Sequence, residues 1–132
     1  MNILVVDDQP SVLKTTAYAL KSMGHQAFTA ENSRQAFRIL EEEPIDVMFL
    51  DVMLGREQGL DMLPELKQRD MEVSVIVFTA QASIESAVEA MRRGAYDYIQ
   101  KPFVPEDIKQ KLARLAQERQ VRTRVRNLEG QV

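Results

Sequence analysis

The hydrophobic positions along the chain alternate between two periods. Apolar runs, the pattern of strands buried on both faces, occur at Ile3–Val6, at Val47–Leu50 and, with one serine inside it, at Val73–Phe78. Weaker runs at Gln26–Thr29 and Tyr98–Gln100 predict two shorter strands. Between these runs, apolar residues recur at steps of three and four, which is typical of amphipathic helices. The pattern therefore predicts five β–α units.

The helices have recognisable start and stop residues. We expect Ser11 to cap a first helix that Gly24 ends, Ser33 to open a second helix that stops before Pro44, and Ser83 to cap a fourth that Gly94 closes. A third helix spans residues 59–69, and a fifth starts at Pro105. Strands separated by helices require a parallel sheet with right-handed crossovers, so the predicted fold class is α/β.

The last helix continues beyond what a small sheet can cover. Read as one helix from Glu106 to about Leu128, it is roughly 34 Å long, and we expect its second half to project. Its apolar positions follow coiled-coil spacing with one slip between the third and fourth of them: Ile108, Leu112, Leu115, Val121, Val125 and Leu128. Basic residues crowd the second half of the helix: Arg119, Arg122, Arg124 and Arg126. A solvated helix that frays is one interpretation, and a parallel dimerisation linker is the favoured one.

Composition excludes several classes of site. The 132 residues contain no cysteine and one histidine, His25, which rules out a disulfide scaffold, a thiolate metal site and a His-rich metal site. No apolar run is long enough for a signal peptide or a membrane span, so we expect a soluble cytoplasmic protein. The net charge of −3 is uneven, since residues 1–105 are acidic and residues 106–132 are basic. An acidic body favours cations or cationic partners over nucleic acid or a membrane.

Chemistry-bearing residues stand where the predicted strands end. Strand one ends in Asp7-Asp8, strand three in Asp51, strand four in Thr79 and strand five in Lys101-Pro102. The carboxyl ends of parallel strands share one edge of the sheet, so these side chains should converge there. Three close carboxylates favour a hard divalent cation such as Mg²⁺. A lysine and a hydroxyl nearby suit the oxygens of a phosphoryl group, and a carboxylate can itself accept one.

This set of residues resembles the receiver domain of bacterial two-component response regulators, over about residues 1–120. The resemblance implies a doubly wound (βα)5, flavodoxin-like sheet of five parallel strands in the order 2-1-3-4-5, with an extended C-terminal helix. It implies that a sensor histidine kinase phosphorylates Asp51 in the presence of Mg²⁺. Asp8 and Asp51 would be metal ligands together with the backbone carbonyl of Met53, and Asp7 would act largely through a bound water.

The resemblance also assigns the switch. Thr79 would hydrogen-bond the phosphoryl group, Lys101 would pair with it, and the Lys101–Pro102 peptide bond would be cis. Thr79 and Tyr98, which matches the switch aromatic, would move together and remodel the face of helix four, strand five and helix five. We expect that face, with the C-terminal helix, to control homodimerisation.

Two departures from the family pattern alter the expected behaviour. Many receivers have Met-Pro where this chain has Leu54-Gly55, so we expect a looser acceptor loop. The positions that tune phosphoryl lifetime hold Met53 and Gln81, neither of which is a strong base. We therefore expect slow self-hydrolysis and no enzymatic turnover beyond phosphoryl transfer and its slow loss.

The stretch from Ala87 to Phe103 resembles the receivers of nitrogen-regulation-type activators, which precede an ATPase that acts with alternative-sigma-factor (sigma-54) RNA polymerase. No Walker motif occurs here, so we expect a fragment: a receiver over residues 1–120 and a helical linker over residues 121–132, leading to ATPase and DNA-binding output domains. We expect no direct nucleic-acid contact by this fragment.

Three other functions compete with this interpretation. A stand-alone receiver that docks a partner protein is the main alternative, and the long tail argues against it. Aspartyl-phosphate phosphatases on a similar sheet have a DxD motif, which holds the nucleophile, at the end of the first strand. This chain has Asp7-Asp8-Gln9 there. A nucleotide or flavin binder needs a Gly- or Ser/Thr-rich phosphate loop after the first strand, and the segment from Asp7 to Ser11 has no glycine.

Overall fold

The computed structural model describes residues 1–80 and 84–130, and the side chains up to residue 119. The predicted strands all form. In chain order the strands are β1 (Asn2–Val6), β2 (Gln26–Ala30), β3 (Val47–Asp51), β4 (Met53–Leu54), β5 (Glu57–Gln58), β6 (Ser74–Thr79) and β7 (Asp97–Gln100). Five of them make one parallel sheet in the order β2-β1-β3-β6-β7. Apart from the short β4 and β5, this is the expected 2-1-3-4-5 order, which confirms the predicted fold class.

Five α-helices connect or follow these strands within the described residues: α1 (Pro10–Ser22), α2 (Ser33–Glu42), α3 (Met62–Gln68), α4 (Ile84–Arg92) and α5 (Pro105–Gly130). A single 3-10 turn, Gly59–Asp61, leads into α3. The prediction that Ser11 caps α1 is wrong. The helix begins one residue earlier at Pro10, because a proline needs no hydrogen-bond acceptor at the first helical position, and Gln9 makes no side-chain cap. The predicted cap Ser83 and the lifetime position Gln81 lie outside the described residues.

Alternate side chains of the central strands form one hydrophobic core with residues of the helices. Leu4 and Val6 of β1, Met48 and Leu50 of β3, and Val77 of β6 are fully buried in one cluster. Positions two apart on a strand share a face, so these residues cover one side of the sheet. Residues of α2, α3 and α4 complete the cluster: Ala36, Phe37, Leu63, Leu66 and Ala90. The continuous apolar runs thus mark strands that helices cover.

The chain divides into two compact units, Met1–Pro102 and Phe103–Val132. In the second unit, α5 runs as a single helix of 26 residues, which confirms the predicted long helix. Ile108, Leu112 and Leu115 lie on one face of it and are buried. The later seam residues and arginines, from residue 120 onward, lie outside the described side chains, so the dimerisation linker and the projection of the helix stay predictions. Among the described residues, none of the helices has the length and apolar character needed to cross a membrane.

Candidate functional site

Three aspartates meet at the carboxyl edge of the sheet because two neighbouring strands end there. Val6 of β1 pairs with Leu50 of β3, so Asp7 and Asp8, which follow β1, lie beside Asp51 at the end of β3. One carboxylate oxygen from each of the three aspartates lies within 4.8 Å of the others. The structure therefore brings together the three carboxylates that the strand ends predicted.

The three carboxylates differ in burial and in their hydrogen bonds. Asp7 is fully buried and Asp51 is 8% exposed, whereas Asp8 is exposed. Backbone amides hold one oxygen of each: the amide of Gln9 donates to Asp7 Oδ1 at 2.9 Å, that of Met53 to Asp51 Oδ1 at 3.2 Å, and that of Gly55 to Asp8 Oδ2 at 3.0 Å. These bonds fix the orientation of each carboxyl group and leave its other oxygen for a further partner.

Lys101 supplies the positive charge at the centre of the cluster. Its Nζ donates to Asp7 Oδ2 and, at 2.9 Å, to Asp51 Oδ2. Its amide donates to the carbonyl oxygen of Thr79 at 2.9 Å, which ties the end of β7 to the end of β6. The Lys101–Pro102 peptide bond is cis, as the resemblance implied.

Burial and charge act in opposite directions on these groups. Burial is the largest influence on Asp51 and raises the pKa of its carboxyl group, against the hydrogen bond and charge of Lys101, which lower it. Burial also works to lower the pKa of Lys101, but its bonds to Asp7 and Asp51 outweigh burial, and the pKa is raised overall. Lys101 is therefore held as an ammonium ion between two carboxylates.

The donor set fits a hard divalent cation. Three carboxylates face one ammonium, so the cluster carries more negative than positive charge, and all its remaining donors are oxygens, the ligands that Mg²⁺ takes. Asp7, Asp8 and Asp51 are the residues placed to hold such an ion. Met53 begins β4, two residues after Asp51, and the metal-binding role of its carbonyl stays a prediction.

The two predicted switch residues lie on neighbouring strands. Thr79 ends β6 and is 4% exposed, and Tyr98 lies in β7 beside Val77. The ring of Tyr98 packs against the core cluster, and its hydroxyl lies 3.5 Å from Oγ of Ser86 on α4. A direct contact therefore joins the strand that precedes Lys101 to α4. Movement of Thr79 and Tyr98 on phosphorylation stays a prediction.

Sequence reasoning missed a small hairpin behind the acceptor. Strands β4 and β5 pair antiparallel through Leu54 and Glu57, with Gly55 and Arg56 as the two-residue turn. Gly55 has φ +62°, which glycine adopts freely and which this kind of turn requires at its first position. The acceptor loop thus forms a short paired hairpin, and its looseness relative to receivers with Met-Pro at these positions stays a prediction.

A second glycine, Gly59, packs directly against the backbone of the acceptor residue Asp51. Gly59 is buried, its amide donates to the carbonyl of Val52 at 2.6 Å, and a Cβ built on it would overlap the carbonyl oxygen of Asp51. The sequence indicated only a helix start at this position. Its close approach to the acceptor backbone leaves no trace in the sequence pattern.

Comparisons with known proteins agree with this geometry. The family model of the response regulator receiver domain matches residues 3–113. The chain is 35% identical over 130 residues to the alginate biosynthesis transcriptional regulatory protein AlgB of Pseudomonas putida, covering 98% of this chain and 29% of AlgB.

Solved structures show the same likeness. NtrX from Brucella abortus matches with a TM-score of 0.87 at 33% identity, covering 96% of this chain and 28% of NtrX. A beryllofluoride-activated NtrC4 receiver domain dimer matches with a TM-score of 0.82 at 30% identity, covering 89% and 97% of the two chains. The chain thus spans under a third of the curated relative AlgB, and nearly the whole of the isolated NtrC4 receiver.

Proposed function

The chain belongs to the response regulator receiver family, and on that premise we propose that a sensor histidine kinase phosphorylates it at Asp51 in a Mg²⁺-dependent reaction. One observation carries the proposal: the Nζ atom of Lys101 bonds to both Asp7 and Asp51, inside a cluster of three carboxylates. That arrangement offers a nucleophile, a cation site and a fixed positive charge within one pocket, which is what phosphoryl transfer needs.

The transfer follows from the roles of these groups. A carboxylate oxygen of Asp51 attacks the phosphorus of a phosphohistidine, the new P–O bond forms as the P–N bond breaks, and the imidazole nitrogen leaves with the electron pair and takes up a proton. Mg²⁺, held by Asp8, Asp51 and, through water, Asp7, would neutralise charge on the phosphoryl oxygens. Lys101 and Thr79 would pair with the remaining oxygens, since both lie at the same edge of the sheet as Asp51.

The chain would then act as a switch and not as an enzyme with turnover. Burial of Asp51 shields the acyl phosphate from water, and Met53 carries no group that could activate a water molecule. We therefore propose slow self-hydrolysis. A cytoplasmic location is proposed from the family, whose kinases phosphorylate their receivers there.

The output of the switch would be the assembly state. Ile84, Val88 and Met91 follow one another at steps of four and three along α4, and their side chains are 85%, 45% and 48% exposed. We propose that this exposed apolar stripe is a protein contact surface. Because the NtrC4 receiver domain forms a dimer when activated, we propose a second copy of this chain as the partner of the stripe. The contribution of α5 and of residues 121–132 stays a prediction.

The downstream partners follow from the relatives. AlgB is a transcriptional regulator more than three times as long as the matched segment, which supports a receiver that controls ATPase and DNA-binding domains of a sigma-54 activator in a longer chain. A stand-alone receiver that docks a partner would need no such domains. This proposal gives the receiver itself no contact with DNA.

Intact-mass spectrometry tests the acceptor. The 132-residue chain is incubated with Mg²⁺ and acetyl phosphate, alongside Asp51→Asn and the control Asp70→Asn. Asp70 is exposed and has φ 55°, a conformation that asparagine tolerates, so its substitution is a matched loss of one carboxylate. We expect a gain of about 80 Da, one phosphoryl group, in the wild type and Asp70→Asn only. A gain in Asp51→Asn would move the acceptor to another residue.

A further inference from the structure

The lysine at the centre of the site has a third neighbour that the family assignment does not name. Nζ of Lys101 lies 4.5 Å from the centroid of the Phe78 ring. Phe78 is the residue before Thr79 in β6, and it pairs in register with Asp51 on one side and Ile99 on the other. Phe78 therefore lies on the strand between the acceptor strand and the strand that leads to the lysine.

The ring of Phe78 is itself held in place. It is 1% exposed, and it makes an edge-to-face contact with Phe49 of β3, with centroids 6.1 Å apart and planes at 83°. Such pairs prefer this perpendicular geometry because the ring faces are negative and the edges positive. A fixed ring presents a fixed negative face, and a cation within about 6 Å of an aromatic centroid is attracted to that face.

We propose that Phe78 is a positioning residue for Lys101: its ring face keeps the ammonium at the carboxyl edge of the sheet while the ammonium exchanges an aspartate partner for a phosphoryl oxygen. The inference rests on the proposed function, since it concerns the transfer to Asp51. A carboxylate binds the ammonium through a directed hydrogen bond that must break when Lys101 changes partner. A ring face attracts the cation without fixing the direction of its N–H bonds, so the ammonium turns without leaving the site.

Burial makes this contact effective. The side chain of Lys101 is 13% exposed, so water competes weakly for its charge. A leucine at position 78 fills much of the same apolar volume but has no quadrupole. Comparing phenylalanine with leucine at position 78 therefore separates the effect of core packing from that of the attraction between the ring and the cation.

The first experiment varies the ring and leaves its shape nearly unchanged. Phenylalanine at position 78 is replaced by its 4-fluoro, 3,5-difluoro and pentafluoro analogues, which withdraw electrons from the ring face stepwise. We expect the second-order rate constant for phosphorylation by acetyl phosphate, at saturating Mg²⁺, to fall in that order and to reach about a threefold to thirtyfold loss. Phe78→Leu should give a loss in the same range.

Phe37 provides the matched control. It is also buried and lies under a cation, the guanidinium of Arg69 at 4.1 Å, but it belongs to α2 and is not part of the aspartate cluster. The same fluorinated series at position 37 should leave the rate constant within about twofold. Equal rates across the Phe78 series, or equal slopes for the two series, would overturn the proposal.

A spectroscopic readout keeps this test separate from that of the proposed function. A proton above a ring face resonates upfield, so the ε-methylene protons of Lys101, assigned by their absence in Lys101→Met, should lie upfield in the wild type and return to ordinary positions in Phe78→Leu. Ordinary positions in the wild type would refute the contact. If the wild type gains no phosphoryl group while the upfield shift is present, the proposed function fails and the ring contact stands.

Discussion

The backbone amide of Gly55 donates a hydrogen bond of 3.0 Å to Oδ2 of Asp8, a residue 47 positions earlier in the chain. Asp8 is the most exposed of the three clustered carboxylates. An exposed aspartate samples several rotamers, and this bond selects one of them. A residue that departs from the usual family pattern, glycine in place of proline, thus orients a predicted metal ligand through an N–H group that proline lacks.

Gly55→Pro should therefore weaken Mg²⁺ binding. Proline removes the donor and requires φ near −65°, whereas Gly55 has φ +62°, so the side chain of Asp8 loses its support and the hairpin must change. Loss of a group that orients a metal ligand typically costs about tenfold in affinity, and we expect a dissociation constant raised by about that factor, measured by calorimetric titration with Mg²⁺.

Gly55→Asn is the control for this prediction, because asparagine keeps the N–H group and tolerates a positive φ. Its dissociation constant should stay within about twofold of the wild type. Tighter binding by Gly55→Pro would contradict the prediction, since it would mean that the amide competes with the cation for Asp8.

Lys101→Met should destabilise the metal-free protein. The substitution leaves the buried carboxylate of Asp7, and that of Asp51, without their shared ammonium partner. Removing one partner of a buried ion pair costs about 3 kcal/mol, which urea unfolding at pH 7.5 would detect. Saturating Mg²⁺ should restore part of the loss, because the cation supplies positive charge to the same carboxylates.

Lys14→Met tests whether the loss of any lysine has this effect. Lys14 is exposed on α1, and its substitution should change the free energy of unfolding by less than about 0.5 kcal/mol, with or without Mg²⁺. A similar loss in both variants would show that the buried pair contributes nothing specific.

Gly59→Ala should disturb the acceptor as well as the fold. The added Cβ would overlap the carbonyl oxygen of Asp51, so the backbone of the acceptor has to shift. We expect a loss of about 2 kcal/mol in the free energy of unfolding and slower phosphorylation by acetyl phosphate.

Gly24→Ala separates the overlap at Gly59 from ordinary glycine strain. At Gly24, φ is +91° and a Cβ would meet nothing within 4 Å, so alanine there costs only backbone strain, about 1 kcal/mol. The rate of phosphorylation should be unchanged. An unchanged rate in Gly59→Ala as well would show that the contact with Asp51 is not transmitted to the carboxylate.

The sequence predicted the aspartate cluster for a physical reason. Four of the five predicted strand runs stop at a chemistry-bearing residue, and a parallel sheet places those stops at one edge, which brings Asp7, Asp51 and Lys101 together. The long final helix was predicted because apolar residues at steps of three and four continue to residue 128, with a single slip between Leu115 and Val121 and no helix-breaking residue between them.

What the sequence did not show depends on short elements and on contacts between distant residues. Strands β4 and β5 have two residues each, too few for a periodic pattern. The bond between Gly55 and Asp8, and the ring of Phe78 under Lys101, join residues whose proximity follows only from the folded sheet. At the start of α1, the prediction placed the cap at Ser11, whereas Pro10 occupies the first helical position and Gln9 precedes it as the N-cap without a side-chain hydrogen bond.

His25 should make stability depend on pH. Its Nδ1 lies 3.1 Å from the N-terminal nitrogen of Met1, and burial together with that positive charge lowers its pKa from 6.5. The unfolded chain therefore binds this proton more tightly than the folded chain, so protonation favours unfolding. The stability that the neutral ring preserves is present above pH 6.5 and is lost as the pH falls from 6.5 toward the lowered value.

His25→Gln isolates this contribution, since the chain has no other histidine. Urea unfolding between pH 5 and pH 8 measures the free energy of unfolding of both proteins. The difference between them should be constant at the alkaline end, and the wild type should lose stability relative to His25→Gln as the pH falls. A difference independent of pH would mean that the histidine has the same pKa in the folded and unfolded chains.

Val88→Glu should abolish phosphorylation-dependent dimerisation if the apolar stripe on α4 is the contact surface. Val88 lies between Ile84 and Met91 in that stripe and is 45% exposed, so a glutamate there folds without cost to the core but places a charge in the middle of the interface. Sedimentation velocity with and without beryllofluoride and Mg²⁺ measures the effect: the sedimentation coefficient should change on activation in the wild type and stay constant in Val88→Glu.

Tyr18→Glu, on the 76% exposed Tyr18 of α1, is the control and should behave as the wild type. Activation-dependent assembly that survives in Val88→Glu but fails in Tyr18→Glu would place the interface on α1 instead, and the chain of contacts from Lys101 through Tyr98 to α4 would then need another output.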